Sequence, residues 1–133
     1  SPRLFRMAVI EPTKKIVSAV KAQYPDLPMI GFPRAAGANY LDYIEETGVD
    51  AVAVDTAMPI RWAVENIQSR MPIQGNLDPI ALLAGGSELE AEVESILSVA
   101  SSKPFIFNLG HGILPSTPIE HVEQLVRQVR AGR

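Results

Sequence analysis

Cysteine is absent from the 133 residues, which removes disulfides, thiolate nucleophiles and cysteine-based zinc sites together. Long apolar runs are absent too: each is interrupted within about ten residues, far short of the roughly 20 needed to cross a bilayer. No charged-then-apolar leader with a small-residue cleavage site opens the sequence, so a soluble cytoplasmic protein with no membrane partner is expected. Aromatics are few, at 6% with a single Trp, and charge of one sign is not concentrated. Residues 1–34 carry six Lys/Arg against Glu11 and Asp26, a net of +4, and the remainder carries six against thirteen, a net of −7. A basic segment this modest, without clustering or aromatic partners, reads as a solvated helix face, and no nucleic acid is expected. What is present is 47% apolar and 20% charged residues, enough for one globular domain with a useful core.

The order of elements is strand then helix, repeated. Four short apolar runs qualify as buried strands: Met29 to Phe32, Ala51 to Val54, Ile73 to Gly75, and Phe105 to Leu109. Helical patterns between them predict a parallel sheet. The first three strand ends, at Phe32-Pro33, Asp55-Thr56 and Asn76-Leu77-Asp78, recur at about 22 residues, close to the minimum βα period of an eight-unit barrel. An extra helix delays the fourth.

Helix signals keep the same register. A first helix is predicted from about Pro2 to Ala22, with Val9, Ile16, Val17 and Val20 as its buried stripe and a kink or restart at Pro12. Asp78-Pro79 sets a capping carboxylate before a proline at the first helical position. Ser87-Glu88-Leu89-Glu90 reads as a capping box ahead of the apolar stripe Val93, Ile96, Leu97 and Ala100. Thr117-Pro118-Ile119-Glu120 reads as another, ahead of Val122, Leu125, Val126 and Val129. Four βα units are half of an eight-unit barrel, and none of the strands carries the charges or prolines that blunt an open edge. The leading helix has no strand before it. The expectation is an α/β fold of parallel (β/α) units that begins midway through a unit and forms the C-terminal half of a (β/α)8 TIM barrel.

Asn108-Leu109-Gly110-His111-Gly112-Ile113-Leu114-Pro115 carries the chemistry. It sets a titratable ring between two glycines at the C-terminal end of a strand, where α/β folds build active sites. His111 reads either as a hydrogen-bond donor to a ligand carboxylate or ring, with Gly110 and Gly112 permitting close approach and positive φ, or as the cap of a turn. His121, inside the last helix, is expected on its exposed side. Asp55 is a cleft carboxylate, a group that orients other cleft residues, or, more simply, a hydrogen-bond acceptor for the loop at Thr56. Asp78 is most simply a cap, and Asn76 a brace between loops beside a cleft. Arg34 reads as a solvated arginine before it reads as a ligand contact, and Arg61 and Trp62 as packing or dimer surface.

Together, Gln74-Gly75-Asn76-Leu77-Asp78-Pro79 and the Gly-His-Gly segment with Thr117-Pro118 after it resemble the C-terminal half of the uroporphyrinogen decarboxylases. The resemblance extends upstream through Val9-Ile10-Glu11-Pro12, Lys14-Lys15-Ile16-Val17 and Gly48-Val49-Asp50 to Val54-Asp55, and covers essentially residues 1–133. It implies a single barrel domain, a homodimer in the full-length enzyme, and removal of the four acetate carboxyl groups of uroporphyrinogen III to give coproporphyrinogen III without metal or organic cofactor. It also implies that the family's arginine-rich motif, essential aspartate and active-site tyrosine lie in an N-terminal half outside this sequence. Only His111 then maps to a recurrent substrate contact, with Gly110, Gly112, Asn76 and Asp55 around the cleft. Two other readings compete. A corrinoid or coenzyme-M methyltransferase of similar barrel would use cysteine and histidine to hold zinc, and the sequence has no cysteine. An inactive half-barrel that only self-associates is compatible with every residue.

Overall fold

The computed structural model describes residues 1–132; Arg133, the last residue of the expected domain, lies outside the described residues. Helix α1 (Pro2–Phe5) runs through a single π-helical turn (Arg6–Ile10) into α2 (Glu11–Gln23). The π turn is the restart expected at Pro12. Proline has no N–H to give, and the Glu11 N–H just before it reaches back five residues to the Arg6 carbonyl. Then follow β1 (Ile30–Gly31), a 3₁₀ turn (Gly37–Asn39), α3 (Tyr40–Thr47), β2 (Ala51–Ala53), α4 (Ile60–Asn66), β3 (Ile73–Leu77), α5 (Pro79–Ala84), α6 (Gly86–Ala100), β4 (Phe105–Leu109) and α7 (Ile119–Ala131). The sheet is parallel throughout, in the order β1-β2-β3-β4, as the repeated strand-then-helix pattern predicts. β1 is shorter than its apolar run, and β3 continues two residues beyond Gly75 because Asn76 and Leu77 pair with Asn108 and Leu109.

Alternation along the strands divides the sheet into two unlike faces. The row Gly31, Val52, Ile73 and Phe105 points into the helical layer, where Val52 and Ile73 are wholly buried among Ile10, Val17, Tyr40, Tyr43, Ile44 and Ile67. A second cluster joins Leu77 to Leu82, Leu89, Val93 and Ile96, with Val122, Leu125 and Val129 of α7 packed on it. The opposite face carries Ile30, Ala51, Ala53, Gln74 and Ile106. There Ile30 is 46% and Ile106 43% exposed, and Phe32, at the end of β1, 45%. An apolar face left open while its reverse is packed is the inside of a barrel wall.

Three local expectations are corrected. Of the predicted α2 stripe, Val17 is buried but Ile16 is 60% exposed, since α2 meets the rest of the chain along a narrower line than a free amphipathic pattern suggests. Ser87 does not cap α6. That helix starts two residues earlier than a Ser87 cap would set it, at Gly86, directly after Gly85, and the Gly86 N–H is satisfied by Oε1 of Gln124 in α7 at 3.1 Å. Nor does Thr117 cap α7: Pro118 occupies the cap position without a side-chain bond, and the Thr117 hydroxyl is buried with no partner among the described residues. The charge asymmetry resolves internally in part. Arg6 of the basic segment pairs with Glu46 and Asp42, and Lys21 with Asp50 at 2.7 Å.

Candidate active site at the strand C-termini

All four strands run the same way, so Phe32, Asp55, Asn76 and His111 emerge at one end of the sheet. Asn76 is 8% exposed, and its Nδ2 donates to the carbonyls of Met58 at 2.6 Å and Asp55 at 3.2 Å, tying β3 to the loop after β2. It is the brace anticipated from the sequence. Asp55, 7% exposed, accepts at Oδ1 from the Ala57 N–H at 3.0 Å and at Oδ2 from the Ala35 N–H at 2.6 Å and the Tyr40 hydroxyl at 3.4 Å. The loop bond anticipated near Thr56 therefore falls on Ala57. The same carboxylate also holds the loop after β1, a role no local sequence signal announces. Tyr40 was missed as well: burial, then the nearby Asp55 charge, push its hydroxyl above the ordinary tyrosine range. A buried tyrosine requires a polar partner, and the Ala53 carbonyl and the Asp55 carboxylate provide it.

The two glycines beside His111 play different parts. Gly110 extends the ladder, donating its N–H to the Leu77 carbonyl at 2.8 Å. A Cβ there would stand 2.5 Å from the Thr56 nitrogen and 2.9 Å from the Asp55 carbonyl carbon, so only glycine lets β4 close on the loop after β2. Gly112 faces open space within 4 Å. The positive φ expected of the pair is absent from both, because the chain leaves β4 without reversing. His111 itself is exposed. It opens onto a shallow cavity of about 330 Å³ shared with Arg34, Ala35, Asp55, Thr56, Asp78 and Ile80. Asn76 stands behind that loop, in a neighbouring cavity of about 460 Å³ with Glu88 and Glu92.

Asp78 caps α5 as expected, its Oδ1 accepting from the Ile80 N–H at 2.8 Å. His121 is not on the free side of α7. Its Nδ1 lies 3.1 Å from both the Leu82 and Leu83 carbonyls, so the Nδ1–H tautomer covers the last carbonyls of α5. Its ring also fills the space where a side chain at Gly85 would stand. Trp62 is packed against the first core cluster, whereas Arg61 is exposed. Among the described residues no group of three or more His, Asp or Glu side chains is placed to hold a metal ion, and no helix is long and apolar enough to cross a membrane.

A solved methyltransferase from Methanosarcina mazei superposes with a TM-score of 0.78 over 98% of this chain and 37% of that one, at 24% identity; at that identity the likeness speaks for the barrel fold alone. A relative from Sphingopyxis alaskensis named uroporphyrinogen decarboxylase is 51% identical over 132 residues, 99% of this chain and 39% of its own length. One of the same name from the Wolbachia of Brugia malayi is 51% identical over 98% of this chain and 37% of its own length. The chain thus spans about two fifths of these relatives. The family model described as uroporphyrinogen decarboxylase (URO-D) matches residues 1–132, and with half the aligned positions identical to relatives of that name, the chain belongs to the uroporphyrinogen decarboxylase family.

Proposed function

We propose that this chain supplies one wall of the catalytic cleft of a uroporphyrinogen decarboxylase, a carboxy-lyase of porphyrin and heme biosynthesis that takes uroporphyrinogen III to coproporphyrinogen III. Residues 1–133 are then the C-terminal part of a single barrel domain, in an enzyme that is cytoplasmic and homodimeric when full-length. The observation that carries the reading is the seating of His111. A family match over the whole described chain coincides with a histidine whose neighbouring backbone closes on Asp55-Thr56 through Gly110, and which opens onto a cavity that also takes in Arg34.

The chemistry follows from the substrate. Protonation of a pyrrole ring makes it an electron sink, the acetate carboxylate leaves as carbon dioxide with its bonding electrons passing into the ring, the exposed methylene carbon takes a proton to become methyl, and the ring releases the proton it first took up. Within this chain His111 donates a hydrogen bond to a substrate carboxylate or ring, and Gly110, Asn76 and the Asp55 backbone anchor the main chain that carries it at the strand ends. Such a bond is strengthened where the cleft excludes water. The carboxylate near the pyrrole nitrogens and the remaining arginines come from outside these residues.

The test is decarboxylation of uroporphyrinogen III by the full-length protein that contains this chain, beside its His111→Asn variant. His111 is exposed and flanked by glycines, so the variant is expected to fold and to lose about 1.5–3 kcal/mol in kcat/KM, one charge-assisted hydrogen bond. No turnover by the parent protein would overturn the assignment. Unchanged kinetics of the variant across the four decarboxylations would remove His111 from the substrate.

A further inference from the structure

The loop after β1 holds a conformation its residues do not favour. Arg34 and Ala35 form the centre of a turn closed by the Ala36 N–H on the Pro33 carbonyl at 3.1 Å. Ala35 sits at φ +57°, and it is the non-glycine residue with positive φ among those described. A turn with a left-handed third residue ordinarily has glycine or asparagine there. The alanine is retained because its N–H is gripped at 2.6 Å by Oδ2 of Asp55, a carboxylate 7% exposed and itself fixed by Tyr40 and Ala57. Strain of this kind persists where surrounding structure over-determines it, and it gathers at ligand sites. Here its effect is to present Arg34 at the rim of the cavity that His111 shares. Arg34 makes no ion pair or side-chain hydrogen bond within the described residues, while Arg6 and Arg70 each engage carboxylates.

We propose that Arg34 is a carboxylate-binding residue of the cleft, taking a peripheral carboxylate of the tetrapyrrole, and that Asp55 is its positioning residue, acting through the Ala35 N–H. The guanidinium fork suits a planar carboxylate, and His111 across the same cavity gives a polycarboxylate a second donor. This inference rests on the decarboxylase reading for the identity of its ligand. A peripheral carboxylate is distant from the bond that breaks and is held equally in ground and transition states, so Arg34 acts on binding and not on the chemical step.

The experiment uses the full-length protein with Arg34→Ala, Arg34→Lys, Asp55→Asn and the Arg34→Ala/Asp55→Asn double variant. Two readouts are taken: steady-state kinetics on uroporphyrinogen III, and equilibrium binding of coproporphyrinogen III against its tetramethyl ester under anaerobic conditions. Arg34→Ala is expected to raise KM and weaken the tetracarboxylate about tenfold, with kcat within twofold and ester binding unchanged; one lost charge-assisted bond has this size. Arg34→Lys falls between, keeping the charge without the fork. Asp55→Asn raises KM in the parent background and adds nothing in the Arg34→Ala background. Turnover by the parent with Arg34→Ala equal to it in KM and binding overturns this inference and leaves the decarboxylase reading intact. Carboxylate-dependent, Arg34-dependent binding without turnover does the reverse. A further KM increase from Asp55→Asn in the double variant overturns the positioning role alone.

Discussion

The glycines on either side of His111 are expected to respond to the same substitution in opposite ways. In Gly110→Ala the new methyl meets backbone, with 2.5 Å to the Thr56 nitrogen and 2.9 Å to the Asp55 carbonyl carbon, and backbone cannot swing aside as a side chain does. Either β4 withdraws and the Gly110 N–H loses the Leu77 carbonyl, or the loop withdraws and loosens the Asn76 bond to the Asp55 carbonyl. Overpacking costs about 1–3 kcal/mol and one surrendered hydrogen bond about 1 kcal/mol, so the expected loss is about 2–4 kcal/mol. For a chain of this length that lowers the melting midpoint by about 4 °C per kcal/mol. Gly112→Ala meets nothing within 4 Å and is expected to stay within about 0.5 kcal/mol of the parent. Urea denaturation at one fixed protein concentration, read by circular dichroism, compares the two. If the variants match, or Gly110→Ala is the milder, then β4 does not close on the loop after β2 as described, and His111 loses its fixed seat.

Other outcomes follow from single contacts. Asp78→Ala removes the carboxylate that caps α5 and is expected to cost about 1 kcal/mol, again by denaturant midpoint, with Asp78→Asn nearly restoring it. The Lys21 ammonium, and after it the Met29 N–H, hold the Asp50 carboxyl below its ordinary range. Its contribution is therefore complete above the ordinary carboxylate pKa and lost as pH falls through the depressed value; Asp50→Asn should flatten the acid limb of a stability-against-pH curve, and an unchanged limb would reject the link. The open sheet face with Ile30, Phe32 and Ile106, together with the free edges of β1 and β4, predicts that the 133-residue chain by itself associates with rising concentration. Sedimentation velocity showing a monomer throughout the micromolar range would refute this.

How far the site was legible can be judged residue by residue. The Gly-His-Gly segment, the Asp78 cap and the four strands each leave a local mark: an apolar run, a proline at a helix start, a glycine pair about a ring. Those marks alone sufficed for a parallel sheet with His111 at its strand ends, and the family resemblance supplied the rest of the expectation. The two capping boxes failed because the pattern around Ser87 and Thr117 records local preference only. Gln124, some 40 residues away in sequence, accepts instead from the Gly86 N–H at the start the helix takes.

By itself the sequence determined the element order, the parallel direction of the strands and therefore the end of the sheet at which His111 emerges, because strand-helix alternation with short connections leaves little other topology. Only the tertiary structure decided what each polar group touches. Asp55 reaches Ala35 and Tyr40 across the sheet, His121 turns inward onto the carbonyls of α5, and Gly110 is required by an approach of backbone to backbone rather than by its own torsion angle. Such contacts join residues far apart in the chain, and their energy depends on distances of a few ångströms that no periodicity encodes.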